Sequence, residues 1–119
     1  MINLDTHILL HGFSGDLRPR EHALLAARPW SIAAIVLWEI VSLARLERIS
    51  VDLDDREFRS YLNRVHVWPL DLRVATALNR LDFRADPADE LIAATSVAYA
   101  VPLLTRDRRI LRSQVVPLA

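Results

Sequence analysis

Two residue types that many enzymes rely on are missing from this 119-residue chain. It has no cysteine, and all fifteen of its basic residues are arginine, so lysine is absent as well. Without cysteine there are no disulfides, no thiolate zinc sites and no thiol nucleophile. Without lysine there is no Schiff-base chemistry and no lysine clamp on a phosphate. No apolar run reaches the ~18 residues of a membrane span. The opening Met-Ile-Asn-Leu-Asp carries neither a basic n-region nor a secretory h-region, so a cytoplasmic location is expected. The fifteen acidic residues cancel the arginines to a formal net charge of zero. No general basic field therefore attracts a polyanion, and a nucleic acid would have to bind a local patch.

What is present is the composition of a folded protein: 52% hydrophobic residues, 25% charged and only two glycines. The length suits one domain, residues 1–119, around one core. Short apolar runs at Ile2–Leu4, Trp30–Ala33, Val65–Leu70 and Pro102–Leu104 read as strands. Helical patterns fall between them, at Ile8–Leu10, Arg20–Ala27, Ile35–Leu46, Arg56–Arg64, a segment capped by Asp71, and 87–99. In the Asp71 helix, Leu72, Ala75, Leu78 and Leu81 form the expected core stripe. Residues 12–19 carry Gly12, Ser14, Gly15, Asp16 and Pro19, a loop signal, and Val115–Leu118 suggests an edge strand. Strands alternating with helices imply a three-layer α/β/α sandwich with a mainly parallel central sheet and right-handed crossovers.

The stretch Asp86-Pro-Ala-Asp-Glu-Leu-Ile-Ala-Ala-Thr-Ser opens a nearly wholly apolar helix. Asp86 suits the N-cap, Pro87 the first turn, and Asp89 and Glu90 the positive end of the helix dipole. A helix so apolar is buried, which puts its acidic mouth at the edge of a core. Asp5 and Asp107 each lie just after a strand, the position where open parallel sheets bind ligands; an ordinary N-cap is the plain alternative for Asp5. Glu39 is a misfit, with Ile35, Val36, Ser42 and Leu43 at helical spacing around it. An unpaired carboxylate there is costly, and a salt bridge to a distant arginine is the alternative. If the four acids meet at one rim, each pair at about 4–6 Å costs about 3–4 kcal/mol in an effective dielectric near 20. Hard divalent cations with oxygen ligands, Mg²⁺ first and Mn²⁺ second, compensate such a cluster. Their waters can become nucleophiles toward a phosphodiester, chemistry that needs no lysine or cysteine.

Four blocks stand in order: Leu4-Asp-Thr-His-Ile-Leu-Leu10, Ser31-Ile-Ala-Ala-Ile-Val-Leu-Trp-Glu-Ile40, Asp86-Pro-Ala-Asp-Glu-Leu-Ile-Ala-Ala-Thr95 and Leu103-Leu-Thr-Arg-Asp107. Together, over nearly the whole chain, they resemble a PIN domain of the VapC toxin type. The resemblance implies a Mg²⁺- or Mn²⁺-dependent ribonuclease, the toxin of a toxin–antitoxin pair, with a cognate antitoxin and often a homodimer. It puts the catalytic and metal-binding acids at Asp5, Glu39, Asp89 and Asp107. Asp5 and Asp89 are then the principal ligands, Thr6 and Thr105 supporting donors, and Asp86 a cap with possible site contact. A catalytically silent module that binds antitoxin or RNA without cleavage is the alternative. A receiver-type phosphoacceptor also gathers aspartates at strand ends, but that class uses a lysine. The chain departs from many relatives at His11-Gly12, where aromatics are common, and at Ala100-Val101, where a glycine often stands.

Arg106, Arg108, Arg109 and Arg112 lie near Asp107 and are candidate RNA-phosphate contacts, against a solvated helix face. His7 and His11, four residues apart, have metal-ligand spacing but no supporting motif, so a surface or packing role is expected. Trp30, Trp38 and Trp68 sit in apolar sequence and are expected in the core.

Overall fold

The computed structural model describes all 119 residues. Four short strands, β1 (Ile2–Leu4), β2 (Trp30–Ala33), β3 (His66–Trp68) and β4 (Leu103–Leu104), form one all-parallel sheet in the order β3-β2-β1-β4. Seven α-helices surround it: α1 (Thr6–Ser14), α2 (Pro19–Ala27), α3 (Ile35–Arg45), α4 (Arg56–Leu62), α5 (Leu72–Ala77), α6 (Pro87–Tyr99) and α7 (Arg108–Leu111). The chain leaves β1 toward β2 and β3, and returns to β1's other side only with β4. The strand order therefore reverses between β1 and β4, and the crevice at their carboxyl ends is the natural ligand position of such a sheet.

β1 is buried throughout because parallel strands are covered on both faces. Ile2, Leu4, Ile32, Leu103 and Leu104 meet Ile8, Val36, Ile40, Phe58, Ile92 and Ile110 in the core. A polar strut crosses this core. Asn3 donates to Ser96 Oγ at 2.9 Å, and Ser31 Oγ donates to the Ile2 carbonyl at 3.2 Å and to Asn3 Oδ1 at 3.3 Å. With its partners made, the strut avoids the desolvation penalty of a buried amide and fixes α6 against β1 and β2.

Several expectations are corrected. Gly12 and Ser14 are helical, not loop, because α1 runs to Ser14 and stops only at Gly15, which takes the left-handed cap at φ 81°. Gly12 is needed inside the helix: a Cβ there would lie 2.5 Å from the Tyr61 hydroxyl, which donates to the Leu9 carbonyl at 2.8 Å. In α5 the buried residues are Val74 and Ala77, while Leu72 is 81% exposed. Small side chains decide the face, since Val74 and Ala77 close on Ala94 of α6. Trp38 is 59% exposed: α3 buries Val36 and Ile40, and Trp38 points away from both. Apolar neighbours in sequence do not make an apolar face. Val115–Leu118 contributes one parallel bridge, Leu103 to Leu118, rather than a strand. No helix is long and apolar enough to cross a membrane.

Candidate functional site

Asp5 ends β1 and begins α1. Its Oδ1 accepts the Ile8 backbone N–H at 2.8 Å, capping the helix, and its Oδ2 accepts the Thr105 hydroxyl. The cap and the site position are thus one residue used twice. Thr105, just past β4, also accepts the Asp107 N–H at 3.0 Å on its oxygen, tying the two strand ends together. Asp107 caps α7 through Oδ1, from the N–H groups of Arg109 at 2.8 Å and Ile110 at 3.3 Å. Glu39 projects from α3, and its Oε1 accepts the Thr6 hydroxyl. No arginine pairs with it; the one ion pair in the protein is Arg106 with Glu21.

These groups line a single cleft of about 480 Å³, with Asp5, Glu39, Asp86, Asp89 and Asp107 supplying five carboxylates. Asp86 stands at the N-cap of α6, but its side chain makes no cap bond and lines the cleft. Pro87 already sets the first turn, and Glu90 accepts the Ala85 N–H at 3.2 Å on Oε2. Of the two roles expected for Asp86, cap and site contact, it lines the cleft and makes no side-chain cap bond.

Electrostatics report the crowding. Burial pushes the half-buried Asp89 up to about 6, and Glu39, Asp107, Asp86 and Asp5 all push in the same direction. Burial also raises Asp5, with Asp107 adding to the rise, against the opposing hydrogen bonds from Thr105 and Ile8 and the proximity of His7. Such a cluster holds excess negative charge that a hard cation would relieve. No three of these side chains are drawn together as a ready-made cage. The all-oxygen donor set fits Mg²⁺ or Mn²⁺.

The PIN domain family model matches residues 2–114. The chain is also 33% identical to ribonuclease VapC22 of Mycobacterium tuberculosis (strain ATCC 25618 / H37Rv) over 94 residues, covering 76% of this chain and 72% of that protein. The chain is a PIN domain of the VapC type. Its fold is shared with VapBC2 from Rickettsia felis bound to a promoter DNA fragment, at TM-score 0.75 and 19% identity, covering 100% of this chain and 98% of that one. A toxin–antitoxin complex from Klebsiella pneumoniae superposes at TM-score 0.68 with 21% identity, covering 94% and 91% of the two chains.

Around this PIN domain's cleft the four arginines are not equivalent. Arg106 lines the cleft, but its guanidinium is held by Glu21, Nε to Oε2 at 2.8 Å and NH2 to Oε1 at 2.7 Å. Arg109 reaches the Arg84 carbonyl at 3.0 Å, while Arg108 and Arg112 are exposed. His7, His11 and Arg48 also line the cleft. The histidines were visible as an i,i+4 pair; Arg48, in an irregular segment, gave no sequence signal.

Proposed function

We propose that this PIN domain is the ribonuclease toxin of a toxin–antitoxin pair, hydrolysing RNA phosphodiesters with a divalent ion held by its acidic cleft. The observation that carries the reading is five carboxylates lining one cleft at the strand-order reversal, with Asp89 pushed up to about 6 among them. Likeness to ribonuclease VapC22 supports the RNA assignment, and the toxin–antitoxin complexes among the structural neighbours support an antitoxin as partner.

In this reading Asp5 and Asp89 hold the ion, and Glu39 and Asp107 complete the site directly or through water. When bound, Mg²⁺ or Mn²⁺ supplies Lewis acidity and makes water a competent nucleophile near neutral pH. The protein's part is orientation. The Thr105 and Thr6 hydroxyls spend their protons on Asp5 and Glu39, which fixes both carboxylates. The main-chain N–H bonds to Asp5 and Asp107 keep those carboxylates at the strand ends. The exposed apolar face of Trp38 and Val41 on α3 is where a homodimer would form.

The test is cleavage of total RNA by purified protein with Mn²⁺, with EDTA, and with the Asp5→Asn and Asp89→Asn variants. Cleavage that needs the metal and disappears in both folded variants is expected. Undiminished cleavage in both would refute the assignment. A folded protein that binds antitoxin yet never cleaves would be the silent module instead.

A further inference from the structure

The acidic cleft continues beyond its acids. A second cavity of about 450 Å³ adjoins it, and His7, His11 and Arg48 line both. The histidines fall on one face of α1, a turn apart. Arg48 is placed by the turn that ends α3. Leu46 N–H bonds to the Ser42 carbonyl at 3.1 Å, Glu47 to Ala44 at 3.0 Å and Arg48 to Leu43 at 2.9 Å. That turn holds Glu47 left-handed at φ 58°, a conformation that disfavours a residue with a Cβ. No carboxylate pairs with any of these three basic side chains, whereas Arg106 is engaged by Glu21. Beyond them, Leu10, Phe13, Ile49 and Val51 give the second cavity an apolar floor, alongside Ser14, Ser50 and Asp16, whose carboxylate accepts the Ser14 hydroxyl at 2.8 Å.

A phosphodiester entering a cleft lined by five carboxylates is repelled until cations offset the charge. A metal at the acids does part of this, and uncommitted donors on an adjoining wall do the rest. The sequence along the trough is acid cleft, basic saddle, apolar floor, and it matches scissile phosphate, flanking phosphate, base. We propose that the saddle and second cavity bind the nucleotide next to the scissile phosphate of a single-stranded RNA. Arg48 holds its phosphate, His7 and His11 donate to phosphate or ribose oxygens, and the apolar floor takes the base. A base reaches such a floor only when unstacked, which selects single strands over duplex. The inference rests on the ribonuclease reading for its substrate class, and it makes this saddle a positioning element rather than a catalytic one.

The experiment measures anisotropy of a fluorescein-labelled, mixed-sequence single-stranded RNA in Ca²⁺, with cleavage in Mn²⁺ followed separately. Arg48→Ala should weaken binding about tenfold and reduce the slope of log affinity against log salt by about 0.7. Arg48→Lys should restore most of that slope. The His7→Ala/His11→Ala double variant should weaken binding about three- to tenfold, as loss of hydrogen bonds to charged groups does. Arg59→Ala, an exposed charge on α4, should change it less than about twofold, because remote charges are screened. Failure of the wild-type protein to bind the RNA overturns the proposal. So does wild-type affinity in both Arg48→Ala and the double variant, including the case where they lose only the hold on an antitoxin peptide. Should binding follow the expected pattern while no RNA is cleaved with Mn²⁺, the ribonuclease reading falls and the RNA subsite stands.

Discussion

Replacing Asp89 with Asn should make the metal-free protein more stable near neutral pH. The folded-state value of about 6 lies above the usual 3.8. A carboxyl raised on folding contributes stability below its unfolded value and loses it as pH climbs through the folded one. Between these two limits, wild-type stability in EDTA should fall as Asp89 ionises among Glu39, Asp107, Asp86 and Asp5. The full gap corresponds to about 3 kcal/mol. Asp89 is only half-buried, so solvent screening reduces this to about 1–2 kcal/mol. The lost attraction to the start of α6 opposes it by about 0.3–1 kcal/mol. A net gain of about 1 kcal/mol remains, or about 4 °C in Tm for a domain of this size. Thermal melts in EDTA, at about pH 4 and about pH 7.5, check both sign and window. The variant should match the wild type at the lower pH and exceed it at the higher. Added Mg²⁺ should then raise the wild type far more than the variant, through binding to the folded state. A variant no more stable than wild type at the higher pH would refute the crowding argument.

Gly12→Ala should destabilise by about 1–3 kcal/mol through overpacking against the Tyr61 hydroxyl, despite alanine's better helix propensity. In a Tyr61→Phe background the same change should be neutral or stabilising, because the next atom met lies at 3.8 Å; urea melts of the four proteins read this reversal of sign. Ala100 ends α6 in the left-handed conformation at φ 52°, so Ala100→Gly should stabilise by about 0.5–1 kcal/mol in the same assay. Arg106, followed by the Arg18 N–H, lowers Glu21 to about 2, so Glu21 stabilises the fold above its ordinary 4.5 and that contribution is lost as pH falls through about 2. Glu21→Gln should cost about 1 kcal/mol at neutral pH and progressively less as acid is added, measured by melting temperature against pH.

Local signals carried well from sequence to structure. A strand end followed by a helix start is written in a few residues, and so Asp5 and Asp107 fall where their neighbours place them. Glu39 was conspicuous because a helix face otherwise apolar contains it. Faces chosen by tertiary packing were not legible. Leu72 outranks Val74 and Ala77 in hydrophobic area, yet the close approach of α5 to α6 favours the small residues. Trp38 sits in a mostly apolar stretch, between Leu37 and Glu39, yet faces solvent in space. Gly12 looked like loop because the reason for it, the Tyr61 hydroxyl, lies in α4. The strut from Asn3 to Ser96 spans 93 positions, beyond any periodicity. Arg48 stands in an irregular turn, where composition does not say which way a side chain points, yet it lines the cleft.

The most direct measurement is the location of the ion itself. Crystals of the wild-type protein soaked in Mn²⁺ should show anomalous density bonded to Asp5 and Asp89, with Glu39 and Asp107 within direct or water-bridged reach. Soaked crystals with no anomalous density in that cleft, or with Mn²⁺ ordered only elsewhere on the surface, would contradict the account.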